Sequence, residues 1–124
     1  MTSQQNTGAA GEQLACRWLE EQGYRILHRN WRHGRDELDI IAQDGDRIVV
    51  IEVKTLSSSK WSDPEVRVDR LKQRKLMRAA EAYAHDHAQD AELRFDVIGI
   101  TLTSGGPEIL HVKEAFYPTL DEQA

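Results

Sequence analysis

The sequence predicts an α/β protein: one mixed β-sheet with helices on its faces, in the order α-β-β-β-α-β-β. Three observations carry this reading. Two β-type runs flank Asp44-Gly45, a dipeptide suited to a tight hairpin turn. Two other stretches, one near the N-terminus and one in the second half, space their apolar residues at helical intervals. Residues 93–102 are almost wholly apolar, as in a central strand buried on both faces.

In chain order, residues 1–7 are polar and read as a disordered tail. Leu14, Ala15, Trp18 and Leu19 make one stripe of a helix over residues 8–22, and Gly23 fits its C-cap. Residues 24–29 alternate as a first strand, and residues 30–35 follow as a basic loop carrying Trp31. Such a loop suits phosphate contact and base stacking, and Trp31 is equally suited to plug one end of the core. The hairpin of residues 37–55 supplies strands two and three, and residues 57–64 have loop composition. A long helix over residues 65–88 presents Val68, Leu71, Leu76, Ala79, Ala80 and Tyr83 as its apolar stripe. Between strands three and four it fits a right-handed crossover joining parallel neighbours. His85 and His87 stand two apart, the wrong spacing for shared metal ligation on one helix face, and read as solvated. Asp96 in strand four is assigned a structural role, pairing with an arginine such as Arg94 or with a helix end. A turn at residues 103–107 leads to an edge strand over residues 108–116. Residues 8–117 thus form a single domain, with residues 118–124 as an acidic tail.

Composition narrows the class. A chain of 124 residues, 40% hydrophobic and 30% charged, is large enough for one core without staples. No apolar run approaches the roughly 20 residues of a membrane-spanning helix, and the N-terminus lacks the pattern of a signal peptide. A cytoplasmic location and no membrane partner are the expectation. One cysteine, Cys16, excludes an internal disulfide and a zinc site of several thiolates.

The net charge is −5, but it is strongly segregated. Residues 25–35 hold four arginines and no acid, and residues 66–78 hold six basic residues against Asp69 alone. Segregation of this kind points to a polyanion partner, DNA, with Arg32, Arg35, Arg67, Arg70, Lys72, Arg74 and Lys75 as the candidate contacts. A solvated basic helix face is the plainer alternative for the second segment.

The candidate chemistry lies on the hairpin. Side chains alternate along a strand, so Glu52 and Lys54 share one face while Val49, Ile51 and Val53 line the other. Asp39 stands on the adjacent strand. Asp39 and Glu52 can share Mg²⁺ or Mn²⁺, hard cations that prefer oxygen, with the Val53 carbonyl as a third ligand. Lys54 is placed to orient or deprotonate an attacking water, or to stabilise charge on the phosphorus centre. Glu12 lies three, four and seven residues before Ala15, Cys16 and Leu19, so it projects inward. It is either an edge residue favoured by the helix N-terminus or a further ligand at this site. Lys72 falls inside the apolar stripe of the second helix, where it either snorkels or meets a carboxylate or phosphate.

These residues carry a resemblance. The hairpin resembles the D-x(n)-E-x-K core of restriction-endonuclease-like nucleases, at the spacing of archaeal Holliday junction resolvases. More of the chain, about residues 8–102, is similar to the small bacterial YraN-like family of predicted endonucleases. The similarity runs through Gly11-Glu12, Gly23-Tyr24, Asn30-Trp31-Arg32 and Glu37-Leu38-Asp39-Ile40. It continues through Val50-Ile51-Glu52-Val53-Lys54-Thr55, Val68-Asp69, Lys72-Gln73 and Arg94-Phe95-Asp96-Val97. The resemblance implies a restriction-endonuclease-like fold with Glu12, Asp39, Glu52 and Lys54 at the catalytic positions. It implies a metal-dependent endonuclease acting on DNA, including branched or Holliday-junction-like forms, and a homodimer if the substrate is a junction. The alternative is a non-catalytic nuclease-fold module that binds DNA or a protein. The chain departs from the family pattern at Asp36, where a glycine is usual, at Leu56 in place of an arginine, and at Ser62 in place of a glycine. Loss of the arginine is expected to weaken phosphate contact.

Overall fold

A computed structural model describes residues 3–56 and 66–117, with the side chains of residues 3–7 outside the description. The residues placed by sequence in the 57–64 loop, and the 118–124 tail, lie outside the described residues. Among the described residues, seven elements follow one another: α1 (Ser3–Glu21), β1 (Arg25–His33), β2 (Asp36–Asp44), β3 (Arg47–Thr55), α2 (Arg70–His87), β4 (Glu92–Thr103) and β5 (Gly106–Phe116). The order is the expected one. The five strands form one sheet in sequence order, antiparallel throughout except that β3 and β4 run parallel. A parallel pair needs a crossover, and α2 supplies it.

Strand alternation divides the interior in two. Ile48, Val50, Phe95 and Val97 face α2, where Leu76, Ala79, Ala80 and Tyr83 cover them. Val49, Ile51, Ile98 and Ile100 face α1, against Ala15, Cys16 and Leu19. The sheet is therefore buried on both sides, which explains the continuous apolar runs in β3 and β4.

Local chemistry sets the ends of the elements. The α1 helix begins before Gly8 and stops at a Schellman turn: Tyr24 N–H donates to the Leu19 carbonyl and Gly23 N–H to that of Glu20. Gly23 has φ of 93°, which a side chain would resist. The hairpin turns through Gly45 and Asp46 between the paired Asp44 and Arg47, with Gly45 at φ 62°.

Three expectations need correction. Residues 30–33 are not a loop: β1 runs on to His33 and pairs with β2 as far as Asp36. Basic residues on an edge strand leave one face to solvent, so the charge that suggested a loop is compatible with a strand. The second helix starts at Arg70, not near residue 65, because the Asp69 carboxylate accepts the Lys72 N–H at 2.8 Å and caps it. Leu71 consequently lies on the outer face, 59% exposed, instead of in the apolar stripe. His87 is exposed, as expected, and one face of its ring stacks on Tyr83 at 4.5 Å, beside Trp31 and His28. Trp31 meets Tyr83 edge-on and packs against the core beneath α2.

Asp96 is structural, as its position suggested. Arg94 donates two hydrogen bonds to its carboxylate, both at 2.9 Å, and the Glu114 N–H adds a third at 3.0 Å. Trp18 donates its indole N–H to Nδ1 of His111 at 3.3 Å, which leaves Nε2 as the protonated nitrogen facing Asp96 at 2.7 Å. Burial alone would raise the Asp96 pKa, but the hydrogen bonds from His111 and Arg94 outweigh it and hold it below the usual carboxylate range. This network pins β4, β5 and the end of α1 together.

Leu56, at the position where an arginine is common, is buried and packs over Gly99 of β4. A Cβ on Gly99 would stand 2.6 Å from a Leu56 methyl and 3.0 Å from its Cγ. Gly99→Ala is predicted to destabilise the protein by about 1–3 kcal/mol through overpacking. Adding Leu56→Ala should recover part of that loss, measured by urea denaturation. Strictly additive effects would show that the two residues do not share this contact.

Candidate active site

The site is built where two strands part. The β2–β3 ladder runs from Asp44 opposite Arg47 to Ile40 opposite Ile51, and its recorded register stops there. At the next position the Asp39 carboxylate accepts the Val53 N–H at 2.9 Å, taking the place of a strand carbonyl. A charged side chain thus terminates the sheet from inside, and a gap opens between β2 and β3.

Glu52 stands beside this gap, its side chain only 13% exposed. The two carboxyls lie close enough for each to perturb the other. Burial pushes the Asp39 carboxyl up. Burial, then the charge of Asp39, pushes Glu52 up to about 7. Two desolvated acids at one place cannot both ionise cheaply unless a cation joins them.

Lys72 of α2 is the cation that reaches them, with Nζ 3.6 Å from Glu52 Oε2. The Lys54 ammonium, expected to act on an attacking water or on charge at phosphorus, donates here to the Arg67 carbonyl at 2.6 Å. Together Glu52, Lys54, Lys72 and residues 67–69 line an open cavity of about 470 Å³.

Glu12 approaches from α1, on the other side of the sheet. Its carboxyl is raised by burial and by the charge of Asp39, and partly relieved by a hydrogen bond from Asn30 and by Arg29 at 4.0 Å. Asn30 has φ of 53°, a left-handed conformation that asparagine tolerates. Arg29 and the Arg67 carbonyl were not singled out from sequence, and Asn30 entered only within the Asn30-Trp31-Arg32 stretch, with no role assigned.

The remaining candidates divide. Arg32 and Arg35 flank the β1–β2 turn, Arg32 lying 3.7 Å from Glu37. Lys75 lies with them across a second cavity, whereas Arg67 contributes its carbonyl and lines the first. Arg70 and Arg74, on the exposed side of α2, each have an interaction partner within the protein. Among the described residues, no three His, Cys, Asp or Glu side chains converge closely enough to hold a metal unaided. The acidic pair, not a ready-made cage, is the chemical core.

A mixed five-stranded sheet with helices on both faces, and an acidic pair where the β2–β3 ladder stops, defines an α/β protein. The model of the uncharacterised protein family UPF0102, the YraN family, matches residues 11–100, and the chain belongs to that family. A UPF0102 protein of Bacteroides thetaiotaomicron is 45% identical over 97% of this chain and 99% of its own length. Another, from Geobacter metallireducens, is 44% identical over 88% of this chain and 90% of its own length. Among solved structures, Pyrococcus furiosus SfsA in complex with Ca²⁺ aligns with 90% of this chain at 16% identity and a TM-score of 0.39. This chain spans 63% of that one. Among the described residues, no helix is long and apolar enough to cross a membrane.

The raised carboxyls predict a pH signature. Folded Glu52 holds a proton that it releases, at its ordinary value of 4.5, once the chain unfolds. Stability is therefore fullest below about 4.5, falls as pH rises toward about 7, and stays lowered above that. Glu52→Gln removes the penalty. In metal-free buffer it should be the more stable protein at pH 8, by on the order of 1–3 kcal/mol, with little difference at pH 4. Thermal melts at both pH values check this, and a pH-independent difference would contradict it.

Proposed function

We propose that this protein is a metal-dependent endonuclease that hydrolyses phosphodiester bonds in DNA. The observation that carries the proposal is the half-buried Asp39–Glu52 pair where the β2–β3 ladder stops, with Glu52 lining an open, partly basic cavity.

The residues fit a hard divalent cation. Asp39 and Glu52 supply oxygen ligands whose mutual repulsion a cation relieves. The Val53 N–H points toward Asp39, and a strand residue directs its N–H and C=O to the same neighbour, so the Val53 carbonyl is aimed at the same gap. Glu12 adds a further carboxylate from α1. When bound there, Mg²⁺ or Mn²⁺ supplies Lewis acidity toward a phosphoryl oxygen and neutralises charge.

The chain's own groups do the rest. Lys54, once turned from the Arg67 carbonyl, orients or deprotonates the attacking water. Lys72 exchanges its contact with Glu52 for a substrate phosphate. Arg32, Arg35, Arg67, Arg70, Arg74 and Lys75 bind the strand backbone, which positions substrate without reading its sequence. Branched DNA is included among the substrates. A junction needs two symmetric cuts, so on that substrate the working unit is a homodimer.

One observation favours the second reading, a nuclease-fold binding module that does not cut. Lys54 and Lys72 are already engaged, one by a backbone carbonyl and one by Glu52. Incubation with labelled duplex, flap and four-way junction DNA plus Mg²⁺ or Mn²⁺ separates the two. The nuclease reading predicts cleavage of at least one substrate and a loss of about 100-fold or more in Glu52→Ala, as when a charge-stabilising group is removed. No cleavage, or equal cleavage by the variant, leaves the binding module.

A further inference from the structure

The β1–β2 turn and α2 enclose a second cavity of about 470 Å³, matching the one beside Glu52 in size. Five of its side chains are cationic, and two, Asp36 and Glu37, are anionic. Both acids are already matched. Asp36 accepts two hydrogen bonds from Arg78, at 2.9 and 3.2 Å, and Glu37 lies 3.7 Å from Arg32. The Asp36–Arg78 pair also ties α2 to the turn, so it fixes the width of the cavity.

What remains is positive: Arg35 and Lys75, with Lys72 at the boundary. A chain of net charge −5 that gathers its cations around one cavity focuses positive potential there. Lys72 lines both cavities and is the shared wall between this chamber and the carboxylate pair. Arginine suits such a place because its planar fork matches phosphate oxygens, with lysine adding a point charge.

We propose that the chamber is a phosphate subsite. It takes the backbone phosphate adjoining the one presented to Asp39 and Glu52 on a single nucleic-acid strand. Arg35 and Lys75 are its ligands, and Lys72 spans the two positions. The strand's path rests on the nuclease reading above, but the chamber's affinity for phosphate does not require cleavage.

The test uses the isotope-labelled full chain in EDTA, titrated with a single-stranded trinucleotide and separately with inorganic phosphate. Backbone amide shifts are followed by NMR. The trinucleotide should shift residues 32–37 and 72–78. Arg35→Ala with Lys75→Ala, both exposed residues, should weaken it at least about tenfold and reduce the log–log salt slope by roughly 0.7. Glu52→Gln should leave the chamber shifts in place. The subsite is overturned by shifts confined to the surroundings of Glu52 and Lys54, or by unchanged affinity in the double variant. It is also overturned if inorganic phosphate shifts the chamber and the trinucleotide does not. If the chamber binds the trinucleotide but no DNA is cut, the nuclease reading falls and the subsite stands.

Discussion

The hydrogen bond from the Val53 N–H to the Asp39 carboxylate is the constraint on which the rest of this structure turns. A buried strand N–H must find an acceptor. Here the acceptor is a side chain, so β2 can leave β3 without orphaning the backbone. The separation exposes Glu52 beside Asp39, and the two acids then meet in a setting neither would occupy inside a continuous sheet. Fold and site are thus the same event. The two apolar layers, one under each helix, hold β3 rigid enough for the split to persist.

A comparison within the molecule sharpens this. Asp96 is more deeply buried than Asp39, yet its carboxyl lies below the ordinary range while that of Asp39 lies above it. The difference is supply. Asp96 receives hydrogen bonds from Arg94, His111 and the Glu114 N–H, and its charge is fully answered. Asp39 receives one backbone N–H and faces a second acid. The first arrangement stabilises the fold, and the second stores an unmet demand for positive charge. Lys72 meets part of it, from a helix whose start is fixed by Asp69.

Much of this was legible in the sequence. The Gly-marked hairpin, the apolar run of β4 and the two helical stripes contain their own periodicity, so the element order could be read directly. The inward placement of Glu12 and Lys72 followed from helical spacing, and both side chains reach the acidic region. Other features were not legible. The extension of β1 through residues 30–33 was hidden because charge and an aromatic suit an edge strand as well as a loop. The start of α2 was misplaced because apolar spacing alone cannot distinguish Val68, outside the helix, from a first-turn residue. Lys54 was placed on the Glu52 face by strand parity. Parity gives a face but not an endpoint, and here its flexible stem carries the ammonium to the Arg67 carbonyl. Leu56 was read as a lost phosphate contact, whereas tertiary packing makes it a core residue over Gly99.

The central claim is that the Asp39–Glu52 pair is a cation site in a working protein. Crystals soaked in Mn²⁺, with data collected at the manganese edge, test it most directly. The account predicts an anomalous peak bounded by Asp39, Glu52 and the Val53 carbonyl, with the Lys72 ammonium displaced from Glu52. Density at this pair unchanged by Mn²⁺, with Lys72 still against Glu52, would contradict it.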